Sequence, residues 1–244
     1  MRRRIAHRAD ATNGAVLAVL YDVHGNLPAL EAVVADAEAA GADCWLLGGD
    51  YALFGGWPAE TVDRLRELEP ATWIRGNGER WTADPSAAPD NPVVPAAIEA
   101  ARDALGEELV ADLAALPASV HQGEILVCHG SPPSDVRSFL PEPADDEAEL
   151  LDGIDDPRVL FGHTHLPFAR HSEVRGIELV NPGSVGMPFD GDTRAAYGLL
   201  HDDGAIEHRR VEYDHAASAK RVRSLGGTWA DTVARRIEQA RMDV

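Results

Sequence analysis

Five apolar runs in this chain each break off at side chains of the kind that bind metal ions. GAVLAVLY runs into Asp22-Val23-His24, CWLLGG into Asp50, ATWIR into Gly76-Asn77, EILVC into His129, and RVLF into Gly162-His163-Thr164-His165. Short runs rich in apolar and β-branched residues and bounded by turn residues read as buried strands. In open α/β sheets ligands bind outside the carboxyl ends of the strands, so a fold that gathers these ends on one edge also gathers Asp22, His24, Asp50, Asn77, His129, His163 and His165.

Helical patterns separate the first strands. LPALEAVVADAEAAG has Gly41 placed to cap its C-terminus, and PAETVDRLRELE opens with Pro58 in its first turn. Residues 82 to 92 are rich in Pro, Asp and Ser and read as loop, with helices expected around 93–104 and 106–116. From residue 118 the strands come close together: SVHQ and EILVCHG about a turn at Gly123, then RVLFG, FARHSEV, IELVN, AAYGLLH and AIEHRRVEY. That spacing predicts a second, mostly antiparallel sheet. The stretch Asp214–Met242 reads as amphipathic helix broken at Gly226-Gly227. The expected fold class is α/β, two stacked mixed β-sheets flanked by helices. It would form a single domain over 14–244, with 82–116 a helical insert near the site and 1–13 a flexible tail.

Charge narrows the partners. Against 22 basic residues stand 41 acidic ones, a formal charge of −19 that repels nucleic-acid backbones and anionic membranes. No large nucleic acid and no membrane is expected as a partner, whereas a small phosphate ester fits if cations reverse the sign locally. No run approaches the roughly 20 apolar residues of a membrane helix, and no apolar stretch follows the basic start MRRRIAHRADATNG. The expected location is cytoplasmic. Cys44 and Cys128 sit in apolar runs, as buried reduced thiols do.

Asp22/His24 and His163/His165 stand at i and i+2, which in extended backbone turns both side chains to one side, so each pair would clasp one metal centre. Imidazole with carboxylate suits Mn, Fe, Zn, Ni or Co better than Mg alone, and a carboxylate such as Asp50 can span two ions. Two divalent transition-metal ions are expected, with manganese as the first choice. Two carboxylates, four imidazoles and an amide would leave such a pair a net charge of about +2, attractive to a phosphate anion.

The ordered set D22-x-H24, G49-D50, G76-N77, H129 and G162-H163-x-H165 resembles the calcineurin-like metallophosphoesterase superfamily. It is most similar to the small bacterial and archaeal phosphodiesterase branch, whose first motif reads DxHGN before a helix, as DVHGNLPAL does here. The resemblance implies that Asp22, His24 and His165 bind a first metal, Asp50 bridges, and Asn77, His129 and His163 bind a second. It implies that a metal-bridging hydroxide hydrolyses a phosphodiester, with Asp50, His129 and His163 as the catalytic set and His129 and His163 near the phosphoryl oxygens. NPGSVG, residues 181–186, matches a recurrent tight turn beside the site. The chain departs from many members at Gly78, where they carry a histidine that assists the leaving group, so a diester or an activated monoester suits it best. Two other outcomes are known on this fold: a non-catalytic scaffold such as the retromer subunit, and a phosphomonoesterase or phosphoprotein phosphatase.

Four further residues are candidate substrate contacts. Asn26 either reaches substrate or caps the helix beginning at Leu27, capping being the preferred reading. Tyr51 and Trp57, with Phe54 and Trp81, could wall a pocket, and Arg75 either meets substrate or pairs with an acidic neighbour. Glu79 either orients a water or finishes its loop.

Overall fold

The computed structural model describes residues 16–244, so the expected tail over 1–13 lies outside the described residues. The chain alternates first: β1 (Val16–Leu20), α1 (Leu27–Ala39), β2 (Ala42–Leu47), α2 (Pro58–Arg66) and β3 (Ala71–Trp73). Helices α3 (Asn77–Ala83) and α4 (Val94–Ala114) follow, then β4 (Ser119–Gln122), β5 (Ile125–Cys128), α5 (Glu147–Leu150), β6 (Arg158–Leu160), β7 (Phe168–His171), β8 (Glu178–Asn181), β9 (Ala195–Leu200) and β10 (Ile206–Val211). Helices α6 (His215–Arg223) and α7 (Gly227–Gln239) end it, divided where Gly226-Gly227 predicted a break.

Two five-stranded sheets result, in the orders β10-β9-β1-β2-β3 and β4-β5-β6-β8-β7. Strands β1, β2 and β3 are parallel, as are β5, β6 and β8, while β4, β7, β9 and β10 pair antiparallel. The second sheet is therefore mixed, not mostly antiparallel, and β9 and β10 leave it to complete the first. Every residue of β9 is buried, so it needs cover on both faces and a partner on each edge, which a place between β1 and β10 supplies.

The layer between the sheets is read off β1 by alternation. Leu17, Val19 and Tyr21 meet Val127, Leu160 and Val180 of the second sheet, whereas Ala18 and Leu20 face Leu30, Val33 and Val34 of α1. Tyr21 fastens the two sheets, its hydroxyl donating to the carbonyls of Cys128 and Leu160, each at 3.1 Å. Gly48 and Gly162 leave room for its ring, since a Cβ would stand 2.1 and 2.4 Å from it.

The helices expected at 93–104 and 106–116 are one element, α4, kinked where Gly106 takes a φ of 76°. Helix α3 runs two residues, 82 and 83, into the stretch expected to be loop. Over 82–116 the chain packs through Val94, Ala97, Ile98 and Ala101 onto Leu53, Phe54 and Trp81, and onto Trp229 and Val233 of α7. Cys128 is buried and Cys44 half-buried, both as free thiols. Among the described residues no helix is long and apolar enough to cross a membrane.

Candidate metal centre

The residues after β1, β2, β3, β5 and β6 lie at the carboxyl ends of strands that run parallel within their sheets, so both sheets deliver them to one edge. The loops are stitched together there. Asp22 N donates to Gly49 O at 3.1 Å, His24 N to Asp50 O at 2.9 Å, and Gly162 N to His129 O at 2.7 Å.

The backbone at these points is not extended, which corrects the reason given for the i, i+2 spacing. Asp22, His24, Asp50, His163 and His165 take φ values of 54°, 49°, 57°, 66° and 58°, in the left-handed region that non-glycine residues rarely occupy. Such strain persists where the surroundings enforce it and collects at functional sites. The left-handed residues at both ends of each motif aim its side chains inward. Asp22 and His24 stay together, but the second pair parts: His165 joins Asp22 and His24, while His163 turns toward Asn77 and His129.

Three rings are held alike. The Nδ1 atoms of His24, His129 and His165 lie 2.8, 2.8 and 2.5 Å from the carbonyls of Leu53, Gly48 and Met187. A carbonyl only accepts, so each Nδ1 carries the proton and each neutral ring presents Nε2 as a lone pair. The Nε2 atoms of His24 and His165 face each other at 3.1 Å. Asp22 Oδ1 lies 3.4, 3.7 and 3.9 Å from Nε2 of His165, His129 and His24, buried and with no hydrogen-bond partner among the described residues. Asp50 sends Oδ2 to 3.8 Å from His24 Nε2 and Oδ1 to 3.5 Å from His129 Nε2.

Lone pairs converging in a buried site are costly unless a cation sits among them. The donor set fits a divalent ion in two overlapping triads, Asp22/His24/His165 and Asp22/Asp50/His129. Asp50 reaches rings of both triads, as a bridging ligand must, and Asp22 belongs to both. Asn77 repeats the pattern on the far side: one terminal atom of its amide lies 2.8 Å from His163 Nδ1 and 3.1 Å from His129 Nε2. Amide nitrogen there donates to both rings, whereas amide oxygen there adds a lone pair that a cation can satisfy.

Burial lowers the pKa of His24 to about 3 and that of His163 to about 4, so both are neutral ligands near pH 7. For His129 burial opposes protonation, but Asp50 and Asp22 outweigh it and raise the pKa. Burial raises Asp22 too, yet His165, His129 and His24 hold it well below the ordinary carboxylate range. Asp50 is pushed up to about 7, by burial first and then by Glu79 and Asp22 against the pull of His129. A carboxyl with that pKa is partly protonated at pH 6.5, and a divalent cation must displace the proton. Adding Mn²⁺ to chelator-treated protein at pH 6.5 in weak buffer is expected to release protons. The release should be smaller in Asp50→Asn, which has no carboxyl proton to lose; a pH-stat titration of both proteins measures it.

The other sequence candidates fall differently. Asn26 occupies the N-cap position of α1 but makes no capping bond. Its amide donates to Gly186 O and the Tyr213 hydroxyl, and its oxygen accepts from Ser218, so neither capping nor substrate contact describes it. Tyr51 is fully buried, donating to the carbonyls of Leu47 and Ile74 and packing edge-on against Trp73, out of reach of a substrate. Trp57 lies under the Arg221 guanidinium at 5.9 Å. Arg75 meets Asp135 at 3.4 Å, the acidic-neighbour alternative. Of the aromatic loop residues Phe54 does border the ligands, its ring 5.7 Å from that of His24.

Glu79 finishes its loop, one of the two alternatives read for it, and Phe189 is a contributor that the sequence reading did not name. Glu79 is buried, and its carboxylate accepts the backbone N–H groups of Asp50, Tyr51 and Gly76 at 2.9, 2.8 and 2.7 Å, fixing the loop that carries Asp50. Its place three residues after the residue preceding α3 is the capping-box spacing, a signal available in the sequence. Phe189 stacks on His165 at 4.3 Å, and no local motif marks it. Gly78 offers Asp50 Oδ1 its N–H at 2.6 Å, and a Cβ there would stand 2.8 Å from the same oxygen.

The model of the calcineurin-like phosphoesterase superfamily domain matches residues 16–205. An uncharacterized protein of Methanocaldococcus jannaschii is 28% identical over 219 residues, 82% of this chain and 88% of its own. The phosphodiesterase YfcE of Escherichia coli is 29% identical over 194 residues, 75% of this chain and 85% of its own. A solved metallophosphoesterase from Sphaerobacter thermophilus superposes with a TM-score of 0.80 at 28% identity, covering 93% of this chain and 100% of that one. A Pyrococcus horikoshii protein superposes at 0.79 and 21% identity, over 93% and 98%, a likeness of fold. These relatives support hydrolysis of phosphoesters, and the family uses divalent metals of the kind the converging ligands fit. With the family model spanning 16–205 and the two-sheet sandwich matching, the chain belongs to the calcineurin-like phosphoesterase superfamily.

Proposed function

We propose that this chain is a two-metal phosphodiesterase of the cytoplasm. The observation that carries the reading is the unpartnered, buried Asp22 Oδ1 shared by two ligand triads. Asp22, His24 and His165 would hold one ion; Asn77, His129 and His163 would hold the other, with Asp50 facing both. Two such ions supply positive charge for the phosphoryl oxygens and a water ionised near neutral pH, and manganese is the first candidate.

The chain's own residues do the rest. The carbonyls of Leu53, Gly48 and Met187 fix ring orientation and tautomer, as outer hydrogen bonds do at metal sites. Glu79 holds Asp50 in place. His163, less buried than the other ligand rings, stands on the side open to substrate. Gly78 has no proton to give a leaving group, and a missing general acid costs about 10²–10⁴-fold, most for poor leaving groups. An ester whose leaving oxygen is already a weak base, or is protonated by water, is the substrate this arrangement serves. The phosphodiesterase activity named for YfcE agrees with that preference.

The test is turnover of bis-p-nitrophenyl phosphate beside p-nitrophenyl phosphate. The expected result is Mn²⁺-dependent hydrolysis that favours the diester, stops with chelator and returns on adding the metal. Folded protein that cleaves neither ester with Mn²⁺, Ni²⁺, Co²⁺ or Zn²⁺ would instead support the non-catalytic scaffold.

A further inference from the structure

Beside the Asn77 half of the site two guanidinium groups converge on one carboxylate. Arg80 binds Asp135 through Nε and Nη2, each at 2.6 Å, and Arg75 reaches the same carboxylate through Nη1 at 3.4 Å. Burial pushes Asp135 up, but Arg80 and Arg75 outweigh it and hold its carboxyl below the ordinary range. The three side chains are 31%, 25% and 17% exposed, so ligand can reach them. Arg80 Nη1 and the Nε and Nη2 of Arg75 have no hydrogen-bond partner among the described residues.

The placement is specific. The Asp135 carbonyl lies 3.1 Å from the Asn77 amide, Arg75 precedes Asn77 by two residues, and Arg80 follows it by three on α3. Side chains three apart on a helix are neighbours, which sets Arg80 beside Asn77, and Arg75 joins it through the shared Asp135 carboxylate. Two guanidinium groups face Asp135 here, with Asp84 and Asp50 also acting on Arg80, so cations offset the local acidity in a chain of formal charge −19. A second anionic group on a substrate would be repelled elsewhere on this surface and attracted here. Guanidinium is also the side chain whose planar donors match phosphate oxygens.

We propose that Arg75 and Arg80, gathered on Asp135 beside Asn77, recognise a second phosphate on the substrate. The substrate class is a phosphodiester whose alcohol portion carries a further phosphate. This rests on the phosphodiesterase reading, with the scissile phosphate lying at the metal ligands. Asp135 competes with the incoming phosphate for the donors of the two arginines.

Titration calorimetry on manganese-loaded protein, comparing adenosine 5′-monophosphate with adenosine 3′,5′-bisphosphate, tests it. The wild type is expected to prefer the bisphosphate by about tenfold or more, the worth of one charge-assisted hydrogen bond. Arg80→Gln should reduce that preference to about threefold or less, and Arg80→Lys should keep part of it as a point charge without the fork. Asp135→Asn removes the competing charge and should strengthen bisphosphate binding, an increase that a merely structural ion pair does not predict. Arg137→Gln, whose partners Glu149 and Asp146 are exposed, is the control expected to behave as wild type. The proposal fails if Arg80→Gln and Arg75→Gln keep the full preference, if Asp135→Asn binds bisphosphate no better, or if Arg80→Gln weakens the monophosphate equally. A wild type without metal-dependent diester turnover refutes the phosphodiesterase reading instead, a result the binding preference does not mimic.

Discussion

Asp50→Asn is expected to leave the chain folded and to reduce Mn²⁺-dependent diester turnover by well over about 100-fold. That figure is the upper end for losing a partner that only orients a ligand, and Asp50 faces the ions directly. Its Oδ2 and Oδ1 approach the Nε2 atoms of His24 and His129, which belong to different triads, so the change weakens both centres. The amide keeps the shape of the carboxylate and still accepts the N–H of Gly78. Removing a buried carboxyl whose pKa stands near 7 also removes a burden from the metal-free protein. The sign follows from proton counts: folded Asp50 binds a proton between about pH 4 and 7 where the unfolded chain has released it. Its contribution to stability therefore falls as pH rises through that window and is least favourable above 7. At pH 8 metal-free Asp50→Asn should melt no lower than metal-free wild type, while gaining less from added Mn²⁺. Elemental analysis with a melting curve checks both parts. A variant that retains two ions and full turnover would remove Asp50 from the centre.

Gly186→Ala should be the most damaging single methyl group, costing about 3 kcal/mol, the upper end for overpacking. The new Cβ would stand 1.9 Å from Val23 O and 2.7 Å from Val23 C, both backbone atoms with nowhere to retreat. Val23 lies between two ligands, and its loop is tied to the NPGSVG turn on every side. Val185 N donates to Tyr21 O, Gly186 N and Ser184 Oγ to Asp22 O, and the Asn26 amide to Gly186 O. For a chain of 244 residues that cost lowers the melting midpoint by about 6–12 °C. Relief of the clash must also move Asp22 and His24, so metal affinity should fall with stability. A midpoint within about 2 °C of wild type, with normal metal affinity, would contradict this account of the turn.

The gathering of the seven candidate side chains on one edge could be read in the sequence because each follows an apolar run, and strand ends are local features. So was the sandwich, since β1 buries both faces and its alternation needs two partners. What could not be read depends on contacts between remote segments. Nothing near β9 and β10 says that they join β1 instead of the sheet formed by their immediate predecessors. Asn26 looks like a cap in DVHGNLPAL, but its partners Gly186, Tyr213 and Ser218 lie 160, 187 and 192 residues away. Tyr51 looks like a pocket wall until the carbonyls of Leu47 and Ile74 claim its hydroxyl. Glu79 is legible as far as its capping-box interval goes, whereas its bonds to the Asp50 and Tyr51 N–H groups span 29 and 28 residues.

Histidine rings locked by backbone carbonyls, on turns already held in left-handed conformations, make a receptor shaped before its ion arrives. Such a cage spends little on rearranging and equally gains little from reshaping itself around a favoured element. Occupancy then follows the general affinity order of the first transition series and the trace elements supplied during growth. Protein from cultures fed different metals should therefore share one architecture while differing in elemental content and in catalytic rate, making diet a determinant of its chemistry.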